Sequence, residues 1–183
     1  MAKAQPNRTK AETLSLRVAP DLKFGLEMLS KLEDRSLTTI IERALRDLFM
    51  NKSITMLDLG RPRLFSEEYP EANFGMLLAY AWSVDGPVRL FRSAILFPGS
   101  ISVRDMALLD LIFSEPYFKG KDKVGFNAGS PDYDKLLSDL CLIFWEQSEG
   151  VDLGKIRRNW TNLNDIIDAA LASGHYPESY AWD

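Results

Sequence analysis

From Thr13 to Val18, after Glu12, polar and apolar side chains alternate without exception, with Leu14, Leu16 and Val18 on one side and Thr13, Ser15 and Arg17 on the other. A period of two over six residues, rich in branched side chains, predicts a half-buried β-strand. Ala19-Pro20-Asp21 ends it. The proline holds residue 19 extended and suits the first turn of a helix. The period then lengthens to 3–4 at Leu22, Leu26, Leu29 and Leu32, flanked by Phe24 and Met28, which predicts a helix from Asp21 to about Glu33. Glu33-Asp34-Arg35 reads as a turn, and Ser36 as the cap of a second helix. That helix carries the stripe Leu37, Ile40, Ile41, Ala44, Leu45 and Leu48 and ends near Asn51-Lys52.

One strand and two helices in about 40 residues make too small a core to stand alone, and a lone strand leaves both its edges unpaired. Two copies solve both problems if the strands pair antiparallel across a two-fold axis and the helices interlock beneath them. The pattern therefore predicts an obligate homodimer. The rival reading is that the strand forms the solvated edge of a larger sheet, but no neighbouring segment offers a partner strand.

The strand Thr13-Leu14-Ser15-Leu16-Arg17-Val18, the helix start Pro20-Asp21-Leu22 and the run Arg35-Ser36-Leu37-Thr38-Thr39-Ile40-Ile41-Glu42-Arg43-Ala44-Leu45 together resemble the ribbon-helix-helix family of the Arc and MetJ repressor type. The resemblance covers roughly residues 12–50, and Asp34 stands where family members often carry a glycine. It implies a β-α-α module whose two-stranded ribbon enters the DNA major groove, where every base pair shows a distinct donor and acceptor pattern. It further implies that Thr13, Ser15 and Arg17 read bases. Arg17 can fork onto guanine, while the hydroxyls donate, accept or touch a thymine methyl. The start of the second helix, at Ser36, Leu37 and Thr38, presents unpaired N–H groups and a positive dipole end to phosphate. Lys3, Arg8 and Lys10, on a polar arm over residues 1–11, are further phosphate candidates.

Beyond the module, residues 53–71 read as a linker punctuated by Gly60, Pro62 and Pro70, and residues 72–183 as a mostly helical domain. Helices are expected at 72–83, 88–97, 102–114, 131–148 and 161–173, and Lys119 to Gly129 as a loop. Ser102 ahead of Asp105, Ser130 ahead of Pro131, and Thr161 mark helix starts, and Gly174 can close the last helix. Val88 to Phe97 suits neither period well, so a strand there stays open. The 131–148 helix is apolar over most of its girth, which fits either a core position or a subunit interface. The tail from His175, with Tyr176, Tyr180 and Trp182, either docks on the body or forms a partner motif.

Charge refines this division. The chain carries −4 overall, but residues 1–60 hold ten Lys/Arg against eight Asp/Glu, whereas residues 61–183 hold twelve against eighteen. Among the first twenty residues Lys3, Arg8, Lys10 and Arg17 face only Glu12. A phosphate backbone meets the field within about 8–10 Å, so the basic front matters more to DNA than the acidic average. Apolar residues make up 46% of the 183, enough for a real core. No apolar run is long enough to span a bilayer, and Met1 to Lys10 lacks the apolar stretch of a secretory signal, so a cytoplasmic protein is expected.

Catalytic chemistry is scarce. Cys141 and His175 are each single, which leaves no structural zinc set, and no phosphate-binding loop, nucleophile elbow or dinucleotide fingerprint occurs. The pairs Asp105 with Asp110 and Asp165 with Asp168 read as solvated helix faces, and the four tryptophans as core. No enzyme activity, cofactor or metal is expected. The readings that remain are a transcriptional repressor or autoregulator whose body multimerises or meets an effector or protein partner, an antitoxin, and a plasmid conjugation or partition accessory protein. A body of this size is unlike the short disordered tail with which family antitoxins wrap a toxin.

Overall fold

A computed structural model describes residues 15–55, 58, 72–126, 131–146, 148–176 and 180–182. The chain is mainly helical and divides into two compact units, one ending at Lys52 and the other beginning at Ser53.

In the first unit, residues 15–19 belong to no regular element, with Ala19 extended, and are followed by α1 (Pro20–Glu33) and α2 (Leu37–Met50). Pro20 occupies the first position of α1, where its missing N–H costs nothing. The turn solves the absent-glycine problem with an aspartate. Asp34 sits in the left-handed region at φ 49°, ψ 48°, and its N–H donates to the Ser30 carbonyl. The Arg35 N–H reaches the same carbonyl at 3.1 Å. Short polar side chains tolerate this conformation better than most, though less well than glycine. Ser36 caps α2 by accepting the Thr39 N–H at 3.1 Å. Across the turn, Arg43 Nη2 meets Glu33 Oε1 at 2.6 Å, clasping the two helices.

The expected strand is not formed as such. Residues 15–18 carry no ladder hydrogen bonds, and the first regular element of the described chain is a helix. Among the described residues nothing pairs with this segment. Its first half, including Leu14 and the candidate base reader Thr13, lies outside the described residues.

The second unit opens with a two-residue antiparallel pairing, β1 (Ser53–Ile54) against β2 (Ala72–Asn73), so the first residues of the expected linker belong to the body. Then follow α3 (Phe74–Ala81), α4 (Gly86–Leu96), α5 (Val103–Ser114), β3 (Lys119–Asp122), α6 (Pro131–Trp145), α7 (Leu153–Arg158) and α8 (Trp160–Ser173). Short 3-10 turns at Pro98–Ser100 and Pro116–Phe118 bracket α5. Side-chain caps start the helices: Asn73 accepts from Met76 N–H, Asp85 from Val88, Ser102 from Asp105 and Asp152 from Lys155. Gly174, at φ 75°, closes α8 in the left-handed conformation that favours glycine.

Two apolar clusters share α4 and α6. The larger gathers Phe91, Leu108, Ile112, Phe118, Trp145, Ile156, Leu163 and Ile167. The smaller gathers Leu77, Ile95, Leu96, Leu136, Leu137 and Leu140. The stretch left open between helix and strand is the helix α4, which buries Pro87, Leu90, Phe91, Ala94 and Ile95 at 3–4 spacing and reaches both clusters along that one stripe. The Trp145 indole pays its polar cost by donating to the Val124 carbonyl at 2.9 Å. The segment expected as one loop after Lys119 contains β3, bridged to Val151. The tail docks: Trp182 packs on Phe118 with centroids 4.7 Å apart, and its indole donates to Glu115. Trp82 departs from the expectation of a core residue. It is 49% exposed, with the Arg89 guanidinium 5.0 Å above its ring.

Candidate nucleic-acid interface

The described part of the candidate reading face is short. Ser15 and Arg17 lie on the segment ahead of α1, and both are exposed, as are Leu16 and Val18. Thr13 and the arm residues Lys3, Arg8 and Lys10 lie outside the described residues.

The start of α2 is better defined. The Ser36 hydroxyl is committed to the cap, accepting the Thr39 N–H and lying 2.9 Å from the Thr39 hydroxyl. Its carbonyl takes the Ile40 N–H at 3.2 Å. The Leu37 and Thr38 N–H groups have no acceptor among the described residues and point out of the helix end, as the first turn requires. These two amides, rather than the Ser36 side chain, are the anion donors this turn can offer. The clasp just behind them is electrostatically matched. The hydrogen bond from Arg43 holds the Glu33 carboxyl below its usual range, and the same bond raises Arg43.

The apolar side of the module is the more informative surface. Leu16, Val18, Leu22, Leu26, Leu29, Ile41 and Leu45 line an open groove of about 560 Å³, with Gly25 and Ala44 also in its wall. Leu22 and Leu48 are each 60% exposed and Leu32 79%, whereas Ile40 alone is buried among the described residues of this unit. Leu16 and Val18 thus open into the same groove as the two helix stripes.

No family model, curated protein or solved structure matches this chain.

In the body, the acidic residues singled out by sequence do not come together as carboxylate pairs. Asp105 accepts the Ser102 hydroxyl at 2.9 Å as part of its cap. Asp168 takes a fork from Arg104, at 2.6 Å to Nε and 2.9 Å to Nη2, which joins α5 to α8 and lowers the Asp168 carboxyl. Arg104 escaped the sequence reading because its partner lies 64 positions away. Burial pushes the half-buried Cys141 thiol up, away from the thiolate form that reacts or binds metal. Among the described residues no group of three or more potential metal ligands converges, and no helix is long and apolar enough to cross a membrane.

Proposed function

We propose that residues 12–52 form half of a dimeric ribbon-helix-helix module, and that the protein is a sequence-specific double-stranded DNA-binding regulator. The observation that carries this reading is the unfilled apolar groove beside residues 15–18, in a unit that buries one side chain among its described residues. Leaving so many leucines in water forfeits roughly 1.5–3 kcal/mol for each that could be fully buried. The proposed occupant is a second copy of the same unit, because it brings both what the groove lacks and what the segment ahead of α1 lacks. It supplies matching leucines, and a backbone edge for the strand to pair with.

Pairing fixes the chemistry. With Leu14, Leu16 and Val18 turned into the shared core, Thr13, Ser15 and Arg17 face outward from both strands and meet base edges in the major groove. Leu37 and Thr38 N–H groups, with Ser36 setting their direction, grip phosphate on either side and fix the register. Lys3, Arg8 and Lys10 add charge that is independent of sequence. The two-fold implies a site with two similar half-sites.

Selection of bound duplexes by the full chain tests this directly. The expected product is an inverted repeat whose affinity falls steeply with salt. Recovery of no preferred sequence, or binding indifferent to salt, would count against the mechanism. The antitoxin and plasmid-accessory readings use the same module. What they assign differently is the body, so they stand as the alternatives that a toxin-like or relaxase-like neighbouring gene would favour.

A further inference from the structure

The body holds a cavity of about 380 Å³ formed by α5, α6, β3 and the loop before α7, within the range typical of small-molecule sites. Its apolar lining is Ile112 and Val151, both buried, with the half-buried rings of Phe113 and Phe144. At its rim stand two exposed and opposite charges, Lys119 and Glu149. They do not pair with each other, and neither has an ion pair or hydrogen-bond partner of its side chain among the described residues.

The backbone carrying those two charges is unusually well fixed for a loop and a short strand. Gly150 sits at φ +118°, and a Cβ there would lie 2.8 Å from the Asp122 carbonyl oxygen. At Gly120 a Cβ would come within 2.6 Å of the Val151–Asp152 peptide. Both glycines therefore let two main-chain segments touch. The contact is stitched by Gly120 N–H to Gly150 O at 3.4 Å, Asp152 N–H to Phe118 O at 2.7 Å, and Leu153 N–H to the Asp122 carboxylate at 3.0 Å. From inside the loop, Gly150 N–H donates to the Ser148 hydroxyl at 3.2 Å. The backbone positions that carry a cation and an anion beside an aromatic floor are set before any ligand arrives, which reduces the ordering cost of binding.

We propose that this cavity binds a small zwitterion with an apolar body, of the free apolar α-amino-acid class. Its carboxylate meets the Lys119 ammonium, its ammonium meets the Glu149 carboxylate, and its side chain lies on Phe113 and Phe144. A simple anion would leave Glu149 facing it, and a simple cation would leave Lys119 facing it. Only a ligand carrying both signs satisfies the rim. The inference goes beyond the DNA-binding reading and does not depend on it.

Titration calorimetry of the full chain tests it, with L-leucine and L-phenylalanine as probes and phenethylamine and hydrocinnamate as the single-charge controls. The expected result is saturable binding of at least one amino acid, with both controls about tenfold weaker or worse. Lys119→Met should then abolish the advantage of L-phenylalanine over phenethylamine, and Glu149→Gln its advantage over hydrocinnamate. Both residues are exposed, so the melting temperatures of the unliganded variants should match the parent. Absence of heat with either amino acid up to about 10 mM overturns the proposal. So does a control that binds as well as the zwitterion, or variants that leave the discrimination intact.

Discussion

The two units spend similar residues in opposite ways. The body holds at least ten large side chains below 2% exposure, Phe91, Phe118, Leu77, Ile95, Ile112 and Leu163 among them. The N-terminal unit, with a leucine stripe on each helix, buries only Ile40 among its described residues. The difference lies in geometry more than in composition. Two helices joined by a three-residue turn leave their apolar stripes open along one shared groove. The body's helices close around shared residues on α4 and α6.

The largest expected effects separate the two directly. Phe91→Ala removes a fully buried ring from the larger cluster and should lower the unfolding free energy by about 3–5 kcal/mol, independent of protein concentration. Chemical denaturation at two concentrations checks both parts. Leu22→Glu changes a side chain 60% exposed in the single copy, where a surface substitution ordinarily shifts stability by less than about 0.5 kcal/mol. On the dimer account it should instead weaken self-association by about 2 kcal/mol or more, roughly thirtyfold, and abolish DNA binding together with it. Sedimentation equilibrium reads the first effect, and a gel shift the second.

Smaller effects sharpen the comparison within the module. Arg17→Ala should leave association unchanged but cost roughly 1–3 kcal/mol of DNA affinity and relax preference at one base position in each half-site. A pH series probes the clasp between α1 and α2. Because Glu33 has a lowered carboxyl in the folded chain, the clasp contributes fully above the ordinary glutamate range, and the contribution is lost as pH falls through the lowered value. Asp168 with Arg104 behaves in the same direction in the body. Glu33→Gln should therefore flatten the acid limb of the melting-temperature curve slightly, with salt doing the same, since the pair is exposed. Asp34→Gly, relieving a left-handed aspartate, should raise stability by about 0.5 kcal/mol.

What could be read from the chain alone follows the range of the interactions that build it. The limits of α1 and α2 were legible because Pro20 and Ser36 act on their own turns, and the end of α8 because Gly174 does the same. The short helix α7 was missed. Its six residues hold too little period, and its start is set by Asp152 together with Asp122, 31 positions before it. β3 was missed because Lys-Gly-Lys-Asp carries no apolar alternation, and what makes it extended is the backbone of Gly150 and Val151. The candidate reading face was legible as a pattern, yet a strand needs a neighbour, and the described residues provide none for Ser15 and Arg17. The zwitterion cavity had no sequence signal, since four separate segments assemble it.

The claim on which the regulatory reading rests is that residues 13–18 of two copies lie side by side as antiparallel strands. Isotope-filtered NOE spectroscopy on a mixture of labelled and unlabelled full-length protein measures this without DNA. The account predicts contacts between the α-protons of this segment in one copy and those in the other, in an antiparallel register with Leu14, Leu16 and Val18 protected. A monomer at all accessible concentrations, or a dimer whose intermolecular contacts all fall elsewhere, would contradict it.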